Sequence, residues 1–165
     1  MAHLRGGTKG IPKEIYPDPG EFWADLGAAY RKTIAELAQA GCTYLQLDDT
    51  TFSYLADDKM QTLCRSNGDD PAKLHRTYAD AINLALADRP PGMTVTLHTC
   101  RGNFQSTWVA EKPYEAAIVE SMFSTAADAY FMEFDSARAG SFDVLRLLPR
   151  GKKVVLGLVT TKTGE

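Results

Sequence analysis

Four short apolar runs alternate with stretches of helical periodicity, and this alternation does most to limit what the chain can fold into. The runs are Cys42-Thr43-Tyr44-Leu45-Gln46-Leu47, Met93 to Thr99, Ala129 to Phe134, and Lys153 to Val159. Each is short enough for a strand and too short for a packed helix of its own. Before the first run, Trp23, Leu26, Tyr30, Ile34 and Leu37 recur at helical spacing. Asp18-Pro19 starts that helix, with a capping carboxylate followed by proline at the first helical position, and Gly41 ends it. Asp70-Pro71 repeats the start signal ahead of Leu74, Tyr78, Ile82 and Leu86, and Arg89-Pro90-Pro91-Gly92 stops that segment. Residues 50–66 read as a short irregular helical region. Pro113 starts a helix through Tyr114, Ile118 and Met122, and Phe142 to Leu148 reads as a short fourth helix. Residues 1–17, rich in Gly, Pro and Lys, read as a loop or lead-in.

Helix and strand in strict alternation predict an α/β fold of parallel strands joined by helical crossovers. The pattern fits an open doubly wound sheet or a segment of a (β/α)8 barrel. No Gly-x-Gly-x-x-Gly follows the first strand, which argues against a dinucleotide fold. One domain over residues 1–165 is the natural division. A net charge of −3 without any Lys/Arg run gives no footprint for nucleic acid or an anionic membrane. The apolar runs fall far short of a membrane span, and the first residues lack an apolar signal core. Three cysteines, Cys42, Cys64 and Cys100, form no disulfide framework, so a reducing, cytoplasmic setting is expected.

In parallel α/β folds the chemistry gathers at the C-terminal ends of the strands. Here each strand ends in reactive or polar groups. Asp48 and Asp49 follow the first, His98 and Cys100 the second, Glu133 and Asp135 the third, and Thr160, Thr161 and Lys162 the fourth. Residues i and i+2 of a strand share a face, so His98 and Cys100 project together. With Glu133 they could offer N, S and O ligands to one zinc. A dispersed, mixed set without Cys-x-x-Cys suits a reactive site with an exchangeable position, and a thiolate-ligated zinc suits activation of a thiol more than of water. Plainer readings stand beside this one. Asp48 and Asp49 could cap the following turn. Glu133 could pair with Arg138 or Arg101 and hold no metal. Cys42 reads as a core residue, Cys64 as inert, His75 as a helix-surface residue and His3 as part of the tail. Phe104 and Trp108 could pack their loop or stack on a ligand.

Taken in order, Gln46-Leu47-Asp48-Asp49, His98-Thr99-Cys100-Arg101-Gly102-Asn103, Phe131-Met132-Glu133 and Gly157-Leu158-Val159-Thr160-Thr161-Lys162-Thr163-Gly164-Glu165 resemble the C-terminal catalytic barrel of the cobalamin-independent methionine synthase family. The likeness, strongest to short bacterial relatives that lack the N-terminal barrel, runs from about Tyr16 onward. It implies a (β/α)8 barrel of which this chain carries the second half, four parallel strands alternating with helices. It implies Zn2+ held by His98, Cys100 and Glu133, and methyl transfer from a folate-type or other donor to a homocysteine-like thiol. Asp48 falls where the family binds the amino group of its thiol substrate, with Asp49 counted beside it as substrate-binding.

The sequence departs from the family pattern in three respects. The family's fourth zinc ligand is a later cysteine, and none follows Cys100 here. Only the second half-barrel is visible, so a fragment of a longer reading frame is expected, with homodimerisation through an exposed sheet edge or apolar face. Lys162 stands where methionine synthases have a histidine that helps move a proton. Alternatives within reach of the same pattern are an epoxide-opening coenzyme M transferase, a uroporphyrinogen-decarboxylase-like barrel, and a non-catalytic remnant.

Overall fold

A computed structural model describes residues 2–103, 105–162 and 164. The elements are α1 (Ala2–Gly6), a 3-10 turn (Thr8–Gly10), α2 (Pro19–Gln39), β1 (Tyr44–Asp49), α3 (Thr51–Leu55), α4 (Asp58–Ser66), α5 (Pro71–Leu86), β2 (Thr94–Thr99), α6 (Ala116–Phe123), β3 (Ala129–Glu133), two further 3-10 turns (Ala137–Ala139, Phe142–Leu147) and β4 (Lys153–Gly157).

Both Asp-Pro signals act as read. Asp18 accepts a hydrogen bond from the Gly20 amide at 2.9 Å, and Asp70 accepts one from the Ala72 amide at 3.0 Å. Each satisfies an amide that the first helical turn would otherwise leave unpaired. Gly41, at φ 95°, turns the chain out of α2 in a conformation open to glycine. The irregular region resolves into two helices, α3 and α4. Asp57, between them, caps the second by accepting from the Lys59 amide.

Three expectations need correction. The lead-in is partly helical, because tertiary contacts outweigh its glycines. Leu4 is buried in the main core, and Asp69 accepts from the Thr8 amide and, at 2.6 Å, from its hydroxyl. The helix expected from Pro113 begins at Ala116 instead. Tyr114 is held out of it, with its amide on the Ala139 carbonyl and its hydroxyl accepting from the Glu133 amide. The segment after Phe142 is 3-10, not α.

The four strands form one sheet in the order β1-β2-β3-β4, every pair parallel. A doubly wound sheet reverses its strand order at a switch point, and this one does not. The steady progression is that of a barrel segment. Alternation sends Leu47, Leu97, Tyr130, Met132, Val154 and Leu156 into the main core, against Phe52, Leu74, Ile118 and Met122 from the helices. Val95 and Leu45 join Ile34 and Leu86 in a smaller cluster under α2 and α5. The other face carries Tyr44, Gln46, Asp48, Thr94, Thr96, His98, Phe131, Glu133 and Val155. Tyr44 and Val155 there are 51% and 45% exposed. That open face carries the candidate donors His98 and Glu133.

Candidate metal centre

Sheet register brings the donors together. His98 pairs with Asp48 on one side and with Phe131 on the other. Two residues further on, on the same face, Cys100 follows His98 and Glu133 follows Phe131. Cys100 extends β2 by one more ladder bond, its amide donating to the Asp49 carbonyl at 2.7 Å. The ligand atoms of His98, Cys100 and Glu133 all lie within 4.8 Å of one another, with each residue half-buried. Donors around a tetrahedral zinc sit roughly 3.3–3.8 Å apart, so small side-chain adjustments would close the set on one ion. His98 Nε2 lies 3.9 Å from Glu133 Oε1, and its Nδ1 lies 2.5 Å from Asp48 Oδ1.

The electrostatics of Cys100 favour a cation. Burial first, then the charges of Glu133 and Asp48, push its thiol above the ordinary value, while the Gly102 amide and Lys162 pull the other way. The Gly102 amide donates to Sγ at 3.3 Å. Gly102 itself has φ 87°, and a Cβ there would sit 2.7 Å from Val109 Cγ2 and 2.9 Å from the Tyr54 hydroxyl. The loop can therefore bring its amide to the sulfur only with glycine at this position.

Glu133 has two jobs, and they do not compete. Its Oε1 faces His98, while its Oε2 accepts from Arg138 Nη2 at 3.3 Å. The same Nη2 donates to Asp135 at 2.8 Å, and the guanidinium lies 4.4 Å over the Trp108 ring. Trp108 thus packs its loop. Arg101 is buried elsewhere, its guanidinium donating to the Lys112 carbonyl and lying over Tyr114. Only its backbone amide approaches Glu133, at 3.4 Å.

Asp48 and Asp49 separate, as neighbours on a strand must. Asp48 stays on the open face at His98. Asp49 turns to the helix side and caps α3, accepting from the Thr51 amide at 2.8 Å and the Phe52 amide at 3.1 Å. Its carboxylate is thus engaged on the helix, and of the two acids only Asp48 faces the donor cluster. Burial raises its pKa and these hydrogen bonds oppose the rise. Lys162 lies near enough for its charge to act on Cys100, and its amide donates to Thr160 Oγ1.

Phe104, Thr163 and Glu165 lie outside the described residues. His75 is buried, not on the surface, with Nδ1 2.7 Å from Ser121 Oγ. His3 is no loose tail residue, for it packs on Trp23 and Tyr78. Cys42 is half-buried and donates to the Tyr44 carbonyl, whereas Cys64 is the cysteine in the core. Sequence reasoning missed Tyr54 and Tyr114 as supports of the site. Tyr54 follows β1 closely in the chain, whereas Tyr114 lies midway between β2 and β3 with no local signal of its role. A groove of about 530 Å³ runs between α2, α5 and the edge of β1, walled by Trp23, Tyr30 and Tyr78, and ends on Gln46 and Asp48.

Comparison with known proteins gives the family and the fold. Residues 18–165 match the family described as "Cobalamin-independent synthase, Catalytic domain". Two uncharacterized proteins of Bacillus subtilis (strain 168) are similar. YxjH is 45% identical over 154 residues, covering 93% of this chain and 41% of YxjH. YxjG is 44% identical over 145 residues, covering 87% of this chain and 38% of YxjG. The chain thus spans about two fifths of these relatives. A crystal structure from Listeria monocytogenes, of a protein provisionally designated a vitamin-B12 independent methionine synthase, superposes with a TM-score of 0.65 at 34% identity. That match covers 90% of this chain and 41% of the solved one.

Proposed function

Because the chain belongs to the cobalamin-independent synthase family, within its catalytic domain, we propose that it carries the metal-holding, thiol-activating part of a zinc-dependent methyltransferase. The reaction is transfer of a methyl group to a homocysteine-like thiol, giving a thioether such as methionine. The bond from the methyl carbon to its donor breaks, a carbon–sulfur bond forms, and the thiol proton is lost. The observation that carries this reading is the convergence of His98, Cys100 and Glu133 within 4.8 Å on the open face of the strand ends.

The donor set fits zinc. It offers one nitrogen, one sulfur and one oxygen, and burial raises the Cys100 thiol pKa, a cost that a bound cation would offset. When bound there, zinc supplies the charge that keeps a thiol ionised at neutral pH without quenching its nucleophilicity. The chain's own residues do the rest. Glu133, held through Oε2 by Arg138, presents Oε1 to the cluster. Asp48, with a 71% exposed side chain, has its second oxygen open to the ammonium of an amino-acid thiol. Lys162, whose charge acts on Cys100, is the residue we assign to helping carry the released proton. His98, Cys100 and Glu133 are the ligands this segment would contribute, and the substrate sulfur would be held beside them. The whole protein that houses this segment would close the sheet into an eight-stranded barrel and supply the methyl-donor contacts.

The test is zinc binding by chelator competition, with a thiol-methylation assay on homocysteine. About one zinc per chain is expected, lost in Cys100→Ser. Undiminished zinc in that variant would remove the assignment. Zinc binding with turnover of a different thiol would keep the metal centre and favour a sister thiol alkyltransferase.

A further inference from the structure

We infer that Asp48 is the positioning residue of the centre: it fixes the Nδ1–H tautomer of His98, so that Nε2 is the nitrogen presented to Glu133 and Cys100. This rests on the metal-centre reading above but concerns the imidazole itself. Neutral imidazole carries one proton, and the bond made by one nitrogen decides which nitrogen keeps its lone pair. Here the two nitrogens face different partners. Nδ1 is 2.5 Å from Asp48 Oδ1, while Nε2 points to the donor cluster, 3.9 Å from Glu133 Oε1. A carboxylate only accepts, so the nitrogen at hydrogen-bond distance from it must hold the hydrogen.

The contact is built into the fold. Asp48 and His98 are register partners on adjacent parallel strands, both on the open face, so the backbone ladder sets their spacing. The imidazole is 28% exposed and wedged between two carboxylates from different strands, β1 and β3. A carboxylate behind a ligating histidine fixes ring orientation and raises donor basicity, and losing one costs 10–100-fold in metal affinity. Asp48 therefore serves the centre through Oδ1 and leaves Oδ2 to a substrate ammonium. A role in substrate binding alone would need no contact with His98.

The experiment has two readouts. First, the nitrogen-15 spectrum of the metal-free protein is recorded at a pH where the ring is neutral, with the His98 signals assigned by their loss in His98→Gln. The expected wild-type pattern is protonated Nδ1 and unprotonated Nε2. Asp48→Ala should shift the ring toward a mixture, and Asp48→Asn, which keeps an acceptor oxygen without the charge, should fall between. Second, chelator competition should show zinc binding weakened about 10–100-fold in Asp48→Ala. A wild-type ring protonated on Nε2, or an unchanged tautomer in Asp48→Ala, overturns the inference. So does a tautomer shift with unchanged zinc affinity. If wild-type protein binds no zinc while the tautomer responds as expected, the metal assignment falls and the positioning of His98 by Asp48 stands. The exposed position of Asp48 makes both variants compatible with folding, which circular dichroism checks.

Discussion

Replacing Arg138 with Met keeps an unbranched side chain against Trp108 and removes the guanidinium. The structure allows the cost to be worked out. One nitrogen holds Asp135 at 2.8 Å and Glu133 at 3.3 Å, and another donates to the Ala110 carbonyl at 3.3 Å. The side chains of Arg138 and Asp135 are 10% and 7% exposed, so solvent cannot take over the lost partner. Each charged hydrogen bond contributes about 1.5–3 kcal/mol, and the cation–π contact about 0.5–2 kcal/mol. These do not add, and breaking a buried pair typically costs about 3–5 kcal/mol. Glu133 is 26% exposed and can recover some hydration, which brings the expectation to about 3 kcal/mol. In a chain of this size that lowers the melting temperature by roughly 6–12 °C. Urea unfolding of Arg138→Met and of the double variant Arg138→Met with Asp135→Leu measures it. The double variant should recover part of the loss, because it removes the stranded carboxylate as well. A loss below about 1 kcal/mol in the single variant would refute the reasoning, since the pair would then behave as a surface pair.

Two further outcomes follow from the geometry. Gly102→Ala puts a Cβ 2.7 Å from Val109 and a side chain at φ 87°, so it should destabilise by about 1–3 kcal/mol in chemical denaturation and weaken metal binding by withdrawing the amide from Cys100. Arg89 lowers the Asp128 carboxyl below its ordinary value of 3.8 through hydrogen bonds at 2.7 Å. A depressed acid stabilises the fold above its unfolded pKa and loses that stabilisation as pH falls through its folded pKa. Asp128→Asn should therefore lower stability at neutral pH and flatten the acid side of the stability profile below about pH 4, read from urea midpoints across pH.

Much of this was legible in the sequence because two periodicities act together. Alternation along a strand placed His98 and Cys100 on one face, and parallel strands in chain order placed Glu133 beside Cys100. The Asp-Pro pairs marked the starts of α2 and α5 by local chemistry alone. Other features depend on distant partners. α1 exists because Leu4 and Thr8 find the core and Asp69, and His75 is buried because Ser121 meets it across two helices. Tyr114 delays α6 by reaching Glu133 and Ala139. The split between Asp48 and Asp49 could have been read, since adjacent strand residues face opposite sides. The sequence offers Arg138 as a partner for Glu133 in place of a metal, and the structure shows the pair made through Oε2 while Oε1 faces His98.

Zinc K-edge absorption on the zinc-loaded protein tests the central claim most directly, because it reads the donor atoms themselves. The expected shell is one sulfur at about 2.3 Å with nitrogen and oxygen at about 2.0–2.2 Å, rising to two sulfurs when homocysteine is added. A shell of nitrogen and oxygen only, or one that homocysteine leaves unchanged, would contradict a centre in which Cys100 holds the metal and the metal holds the thiol.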